Sequence, residues 1–318
     1  MGWQLTTLVH RLARAIRPPA DPVTPAATPG DAAGVVVAER LRDLLPAVDR
    51  AAYDRLLAEH EDGADVLART LAATGRLRPV EHLARRWAAL GVADRAAVAD
   101  PVRAMTYVGR QTDPTTCGSA ALTMLAATGD PVLALWLVSG WLPPTGRPPE
   151  LAGATPSSLE RLARGPVEHR FAALQRVLKH RTNAGAAVGL PWPAGLGTPP
   201  WGAAREARFP GVRYTHRMLD DTDRVDLAAV LDRVRAAVLR GVPVPLYAGG
   251  DTSRGWRTAL PRHVVLAVAP RPDGLVVWEP SAGRLVPLRT AEVLGGTSGP
   301  SPALGGWNHL MWAVLPSD

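Results

Sequence analysis

The sequence predicts an α+β protein, because the spacing of its apolar residues changes near residue 240 of the 318-residue chain. Before that point, apolar residues recur mainly at the three- and four-residue intervals of amphipathic helices. From residue 242 onward, short apolar runs alternate with turns rich in proline and glycine, which is typical of antiparallel strands. A helical part followed by an antiparallel part is the α+β arrangement.

Length and composition indicate a globular chain with one large domain or two unequal ones. No apolar run reaches the roughly 18 residues of a membrane-spanning helix, so we expect a soluble, cytoplasmic protein. The formal net charge is +7, but Lys179 is the only lysine and no basic patch is interleaved with aromatic residues, so we expect no nucleic-acid partner. The single cysteine, Cys117, excludes an internal disulfide and a cysteine-based structural zinc site. We expect neither a metal nor a cofactor.

The first 34 residues predict a helix followed by a linker. Residues 3–17 have leucines at helical spacing and several arginines, which is the pattern of a basic amphipathic helix. Such a helix either makes a peripheral contact with an anionic membrane or a partner, or packs on its own domain. Residues 18–34 are rich in proline and predict an extended linker.

Two larger regions follow the linker. Residues 35–100 predict three or four short helices, with breaks near Pro46, Gly63 and Gly75. Residues 101–318 form the third region, which starts with two apolar helices on either side of a turn at residues 129–131. Two more helices are expected over residues 159–178, and a loop rich in proline, glycine and tryptophan over residues 190–202.

The C-terminal elements are one helix and a set of strands. Residues 226–240 predict an amphipathic helix that ends at Gly241. Strands are expected at residues 242–247, 263–268, 275–279, 284–288 and 310–315, with a polar loop over residues 249–262 and a hairpin turn at residues 270–274.

The residues before Cys117 predict the start of a helix. Asp113, Thr115 and Thr116 carry side-chain oxygens that can accept hydrogen bonds from the free N–H groups of a first helical turn. Cys117 is therefore expected in or near that turn, where the unpaired N–H groups and the helix dipole favour a thiolate. A thiolate is the nucleophilic form of cysteine. The alternative is that the lone cysteine is a small buried apolar side chain.

Two neighbours of Cys117 and two tryptophans are candidates for contact with a substrate. Gln111 lies six residues upstream, where its amide can donate a hydrogen bond to an oxyanion together with the N–H of Cys117. Gly118 has no Cβ, which would let the substrate backbone approach. Trp192 and Trp201 either line the substrate groove or pin a surface loop to the core.

His263 and Glu279 supply the remaining groups of a cysteine-based site. His263 begins one predicted strand and Glu279 ends the next, so the hairpin between them brings both side chains to the same end of the sheet. A cysteine, a histidine about 150 residues later and then a carboxylate are compatible with the nucleophile, base and orienting group of a papain-like site. His309 is an alternative base, but its neighbours Trp307 and Leu310 favour a packed structural role.

These motifs occur in a fixed order along the chain: Gln111, Cys117-Gly118, the strand-leading His263, and Glu279-Pro280-Ser281-Ala282-Gly283. The order resembles the papain-like bacteriocin-processing (double-glycine leader) peptidase family in its stand-alone soluble form. The resemblance covers about residues 101–315 and implies a papain-like fold. It also implies that Cys117 is the nucleophile, His263 the base, Glu279 the third member and Gln111 the oxyanion donor. Glu279 stands where the family usually has aspartate.

The leading interpretation is a cysteine peptidase that cleaves a peptide or protein substrate through a thioester acyl-enzyme. A second interpretation keeps the same residues but transfers the acyl group to an amine, as transglutaminase-like proteins do. A third is a catalytically silent domain that binds peptides in the same groove. The sequence contains no transporter segments, so cleavage of a leader coupled to export does not follow.

Overall fold

The structure is a computed structural model that describes residues 32–187, 189–251, 260–295 and 299–317. The predicted basic helix of residues 3–17 and most of the predicted linker lie outside the described residues, as does a part of the polar loop before His263. The described chain combines helices with one antiparallel sheet, which confirms the α+β class.

Residues 32–100 form five α-helices, where the sequence predicted three or four. The predicted breaks are confirmed: Pro46 and Gly63 each precede a helix, and Gly75 ends one with a positive φ of 65°. An additional break occurs at Gly91, which the sequence analysis did not anticipate. The helices are α1 (Ala33–Leu44), α2 (Ala47–Glu59), α3 (Ala64–Thr74), α4 (Leu77–Ala88) and α5 (Val92–Ala99).

These N-terminal helices pack on the rest of the chain. The N–H of Ala33 donates to the carbonyl of Arg240 at 2.9 Å, and Arg69 donates to the carbonyl of Thr128 at 2.9 Å. One continuous cluster of buried side chains extends from Ala38 in α1 to Leu315 near the C-terminus. The N-terminal region therefore shares a core with the region that carries Cys117.

Two consecutive helices form the centre of the molecule. After the short α6 (Pro101–Ala104), α7 (Cys117–Gly129) and α8 (Pro131–Ser139) are buried along almost their whole length. Asp130 accepts hydrogen bonds from the first N–H groups of α8 and fixes the turn between them. Among the described residues, no single helix has the length and hydropathy to cross a membrane; α7 and α8 meet that requirement only as a pair bent by 114°.

A buried ion network joins this turn to the following segment. Arg208 lies 3.0 Å from Asp130 and 2.7 Å from Glu150, and the two carboxylates are 2% and 3% exposed. Burial raises the pKa of Asp130, and the nearby charge of Glu150 adds to that effect, whereas Arg208 opposes it. The guanidinium of Arg208 therefore compensates two carboxylates that water does not reach.

Two helices follow where they were predicted, and a third was missed. The predicted pair is α9 (Pro156–Arg164) and α10 (Val167–Asn183). The expected loop over residues 190–202 is shorter than predicted, because α11 (Pro200–Glu206) begins within it. Pro200 occupies the first helical position, where the missing N–H costs nothing, so this proline starts a helix instead of marking a loop. Trp201 therefore lies on a helix.

The sheet has six strands in the order β1-β6-β2-β3-β4-β5, and every neighbouring pair is antiparallel. The strand β1 at one edge was not predicted, because none of its residues is fully buried and most of them are polar. The strands are β1 (Arg213–Met218), β2 (Val244–Gly249), β3 (His263–Arg271), β4 (Gly274–Glu279), β5 (Arg284–Arg289) and β6 (His309–Ser317).

Helices cover the centre of this sheet and position the site. Both α7 and α12 (Arg224–Leu239) pack on β2 and β3, and every residue of β2 is buried. The pairing of β2 with β3 places Ala248 opposite His263, so His263 begins its strand beside the end of β2. The short helix α13 (Thr290–Gly295) follows β5. Cys117 and His263 are thus brought together where α7 begins and β3 begins.

Candidate active site

Cys117 is the first residue of α7, as the sequence predicted, but the helix start is built differently. The side chain of Thr116, the residue before the helix, makes no capping hydrogen bond to it. It accepts instead from the N–H groups of Thr112 and Asp113, and Asp113 accepts from the N–H and hydroxyl of Thr115. These side chains stabilise the loop that precedes the helix, so the predicted capping role is wrong.

The loop around Cys117 and the start of β3 line a small cavity of about 20 Å³ that is partly open to solvent. Cys117 and His263 both line it and are 3% and 5% exposed. The first three N–H groups of a helix have no acceptor within the helix, so the start of α7 presents donors beside the sulfur of Cys117. Thr198 and Tyr247 line the same cavity.

His263 bonds to Glu279, as the predicted hairpin requires. The ring nitrogen Nε2 of His263 lies 2.8 Å from Oε1 of Glu279. Glu279 also accepts the backbone N–H groups of Ser281 and Ala282, at 2.8 and 2.7 Å, and is 4% exposed. The turn after β4 therefore holds the carboxylate in place. Because Nε2 is occupied, Nδ1 is the ring nitrogen left for Cys117.

His263 and Glu279 form a buried ion pair at this site. Burial lowers the pKa of His263, but hydrogen bonding to Cys117 and Glu279 and the charges on both partners outweigh burial and raise it to about 9. Burial raises the pKa of Glu279, whereas hydrogen bonds from His263, Ala282 and Ser281 lower it to about 2. Near neutral pH, His263 is therefore an imidazolium beside an ionised carboxylate.

Gly305 packs against the ring of His263, a contact that the sequence analysis did not foresee. Gly305 has a φ of 65°, and a Cβ on it would lie 2.3 Å from the imidazole Cδ2 and 2.5 Å from Nε2. The absence of a side chain at this position therefore leaves the room that the ring occupies. A pair of glycines before β6 was the only signal in the sequence.

The structure brings Gln111 to the turn after Glu279 and not to the cavity beside Cys117. Its backbone N–H donates to Pro280 at 2.9 Å, and its side-chain oxygen accepts from the hydroxyl of Ser281 at 3.2 Å. Its amide nitrogen donates to the carbonyl of Asp113 at 3.1 Å. In this arrangement Gln111 ties the loop before Cys117 to the turn that holds Glu279.

Gln175, on α10, holds the same loop from the other side and was missed in the sequence. It is fully buried, its amide nitrogen donates to Arg110 at 2.9 Å, and its oxygen accepts from the N–H of Thr112 at 3.2 Å. A single glutamine in a helical pattern does not indicate which distant residues it will contact. Gln175 bonds to a loop some sixty residues earlier in the chain. Lys179, one helical turn later, hydrogen-bonds to the hydroxyl of Thr115.

Gly118 is in close contact with Thr198, and this contact leaves no room for a Cβ at position 118. A Cβ on Gly118 would lie 2.5 Å from the Cβ of Thr198 and 2.7 Å from its hydroxyl oxygen. The expected contact with a substrate backbone is therefore replaced by a contact within the protein, and the glycine lets Thr198 reach the start of α7.

The structure does not bring Trp192 and Trp201 to the cavity. Their rings pack edge to face with centroids 5.2 Å apart, and Trp201 donates to the carbonyl of Ala186 at 2.7 Å. Trp201 also lies against His216 and Trp312. The residues between the two tryptophans, 195–198, line the cavity instead.

His309 does not line the cavity beside Cys117, so the structure does not support it as an alternative base. Its Nδ1 lies 2.6 Å from a carboxylate oxygen of Asp221. Within the described ranges, no three histidine, cysteine, aspartate or glutamate side chains come together as metal ligands.

Comparisons of this chain with protein-family models, with curated proteins and with solved structures find no match. The geometry of Cys117, His263 and Glu279 is therefore the basis for a proposal about function.

Proposed function

We propose that this protein is a papain-like cysteine peptidase that hydrolyses a peptide bond through a thioester on Cys117. The observation that carries the proposal is the position of His263, which shares a cavity with Cys117 and bonds through Nε2 to Glu279 at 2.8 Å. A nucleophile, a base and a group that orients the base are the minimum set for this chemistry. The motif order that resembles the bacteriocin-processing peptidases supports the same assignment.

The proposed reaction begins with a thiolate on Cys117 and an imidazolium on His263. The raised pKa of His263 favours this ion pair near neutral pH. The thiolate attacks the scissile carbonyl carbon, and the carbonyl oxygen takes up the negative charge. When the C–N bond breaks, the proton of His263 passes to the leaving amine, and Cys117 retains the acyl group as a thioester.

Hydrolysis of the thioester completes the cycle. Neutral His263 removes a proton from a water molecule, and the resulting oxygen nucleophile attacks the thioester carbon. The C–S bond breaks, the acid product leaves, and the thiolate–imidazolium pair is restored. Throughout, Glu279 fixes the ring orientation and stabilises its charged form, because its own carboxylate is held by two backbone N–H groups.

The test is turnover of a peptide library, followed by mass spectrometry, with Cys117→Ser and His263→Ala as controls. Cleavage products and a covalent acyl adduct on Cys117 are expected in the wild type, and neither variant should turn over. Reaction in ¹⁸O-labelled water separates the two enzymatic interpretations, because hydrolysis places the label in the new carboxylate and transfer to an amine does not. Binding of peptides with no adduct at any pH would contradict the proposal.

A cytoplasmic location and a peptide or protein as the substrate remain part of the proposal. Fractionation of the cells that express the chain tests the first, and the library tests the second.

A further inference from the structure

Two residues that line the cavity beside Cys117 carry buried hydroxyl groups with no hydrogen-bond partner among the described residues. The groups are Oγ1 of Thr198 and the phenolic oxygen of Tyr247, and the two residues are 5% and 2% exposed. A buried polar group without a partner is uncommon in folded proteins, because it has lost its bonds to water and gained none in return. Two such groups, on residues that line one small cavity beside a cysteine, indicate that a bound group supplies the missing hydrogen bonds.

The size of the cavity limits what that group can be. Its volume of about 20 Å³ is close to that of a single water-sized group. A carbonyl oxygen fits such a space. The start of α7 adds backbone N–H groups that point out of the helix at the same place.

We propose that the hydroxyls of Thr198 and Tyr247, together with the N–H groups at the start of α7, hold the carbonyl oxygen of the substrate as it becomes an oxyanion on attack by Cys117. This inference rests on the proposed peptidase function and names the groups that would stabilise its transition state. Donors placed before the reaction at the position where charge develops are the usual source of such stabilisation.

Two further features of the structure agree with this assignment. Gly118 has no Cβ, and only for that reason does Thr198 reach the first turn of α7. Burial and the charge of Cys117 raise the pKa of Tyr247 well above its ordinary value, so its hydroxyl keeps the proton that it donates.

Gln111, the donor implied by the family resemblance, is engaged elsewhere. Its amide nitrogen donates to the carbonyl of Asp113, and its oxygen accepts from Ser281. The oxyanion donors inferred from the structure therefore differ from the one that the motif order implies.

The test compares two reactions of Cys117 that differ only in whether an oxyanion forms. Acylation by p-nitrophenyl acetate passes through a tetrahedral oxyanion, whereas alkylation by iodoacetamide displaces iodide and forms none. Both reactions need the thiolate and access to the sulfur. Their rates are measured in the wild type and in Thr198→Val, Thr198→Ser, Tyr247→Phe and Gln111→Ala, with Tyr214→Phe as a matched control for the loss of a tyrosine hydroxyl outside the cavity.

We expect Thr198→Val and Tyr247→Phe each to lower the acylation rate by about 10²-fold, the usual effect of removing one oxyanion donor. Alkylation should change by less than about threefold, which also shows that the variants are folded around a reactive thiol. Thr198→Ser should restore most of the acylation rate, and Tyr214→Phe should match the wild type.

Two outcomes would overturn the inference while the proposed function stands. One is rapid wild-type acylation that both hydroxyl variants retain; the other is acylation that falls only in Gln111→Ala. A third outcome, a wild type that is neither acylated nor alkylated faster than a free thiol, would reject the proposed function itself.

Discussion

The imidazole Nε2 of His263 lies 2.8 Å from Oε1 of Glu279, and both side chains are about 95% buried, with exposed fractions of 5% and 4%. Glutamate reaches the ring from the last position of β4 because the turn that follows donates two backbone N–H groups to the carboxylate. The longer side chain is therefore fixed by three hydrogen bonds, one to His263 and two to the turn. Through Glu279, the turn after β4 therefore stabilises the charged form of His263.

Replacing Glu279 with glutamine should lower activity by at least about 10²-fold, because a neutral amide no longer stabilises the imidazolium of His263. The pKa of His263 should fall, and the pH at which Cys117 reacts rapidly should rise with that loss. The measurement is kcat/KM against pH, with an NMR titration of the histidine ring. Glu279→Asp keeps the charge and should retain more activity than Glu279→Gln; equal activity in the wild type and the glutamine variant would remove Glu279 from the mechanism.

The stability that this pair contributes should be greatest between about pH 4.5 and 6.5. The pKa of His263 is raised from 6.5 to about 9, so its contribution is complete below 6.5 and is lost as pH rises through 9. The pKa of Glu279 is lowered from 4.5 to about 2, so its contribution is complete above 4.5 and is lost as pH falls through 2. Urea unfolding of the wild type and His263→Gln against pH measures this difference, and a difference independent of pH would show that the pair contributes nothing through its charge.

Gly305→Ala should abolish activity while the chain stays folded, because its Cβ would overlap the ring of His263. Gly306 is the matched control. Its φ of 85° imposes a similar backbone strain, but among the described residues no atom outside its chain neighbours lies within 4 Å of a Cβ placed there. Gly306→Ala should therefore lose stability, by about 1 kcal/mol, and keep its activity per folded molecule. Circular dichroism and a peptidase assay separate the two effects; equal loss of activity in both variants would contradict the contact.

Arg208→Met should destabilise the protein by about 3 kcal/mol at pH 7, because it leaves the buried carboxylates of Asp130 and Glu150 without a counter-charge. The loss should shrink as pH falls, because burial raises the pKa of Asp130 and its carboxylate becomes protonated. Arg164→Met removes an exposed ion pair with Glu160 and should change the free energy of unfolding by less than about 0.5 kcal/mol. Denaturant unfolding measures both, and a similar small effect in both variants would mean that the buried network is not stabilising.

Local sequence patterns were sufficient for the parts of the site that lie within one element or one hairpin. The loop and apolar run around Cys117 predicted a helix start, and the structure has one there. The two strands predicted on either side of a turn at residues 270–274 indicated that His263 and Glu279 meet, and they do. In both cases the residues that decide the geometry are close in sequence or joined by a tight turn.

Contacts between distant segments could not be predicted in this way. Gln175 and Gly305 act on residues far away along the chain, and neither has a pattern that names its partner. The residues around Thr198 predict a surface loop. Tyr247 lies in a predicted strand, where the pattern does not distinguish it from the neighbouring apolar residues. Only packing brings these two residues to the cavity beside Cys117, whereas Gln111 is held away from it by hydrogen bonds to Asp113 and Ser281.

The most direct test of the proposed function is the rate at which iodoacetamide alkylates Cys117, measured against pH in the wild type and in His263→Ala. A thiolate–imidazolium pair predicts rapid labelling that persists well below the pKa of a free thiol, about 8.5, and that is lost in the variant. Labelling that rises only near that pH in both proteins, or a folded protein whose thiol never reacts, would contradict the account and leave a domain that binds peptides without cleaving them.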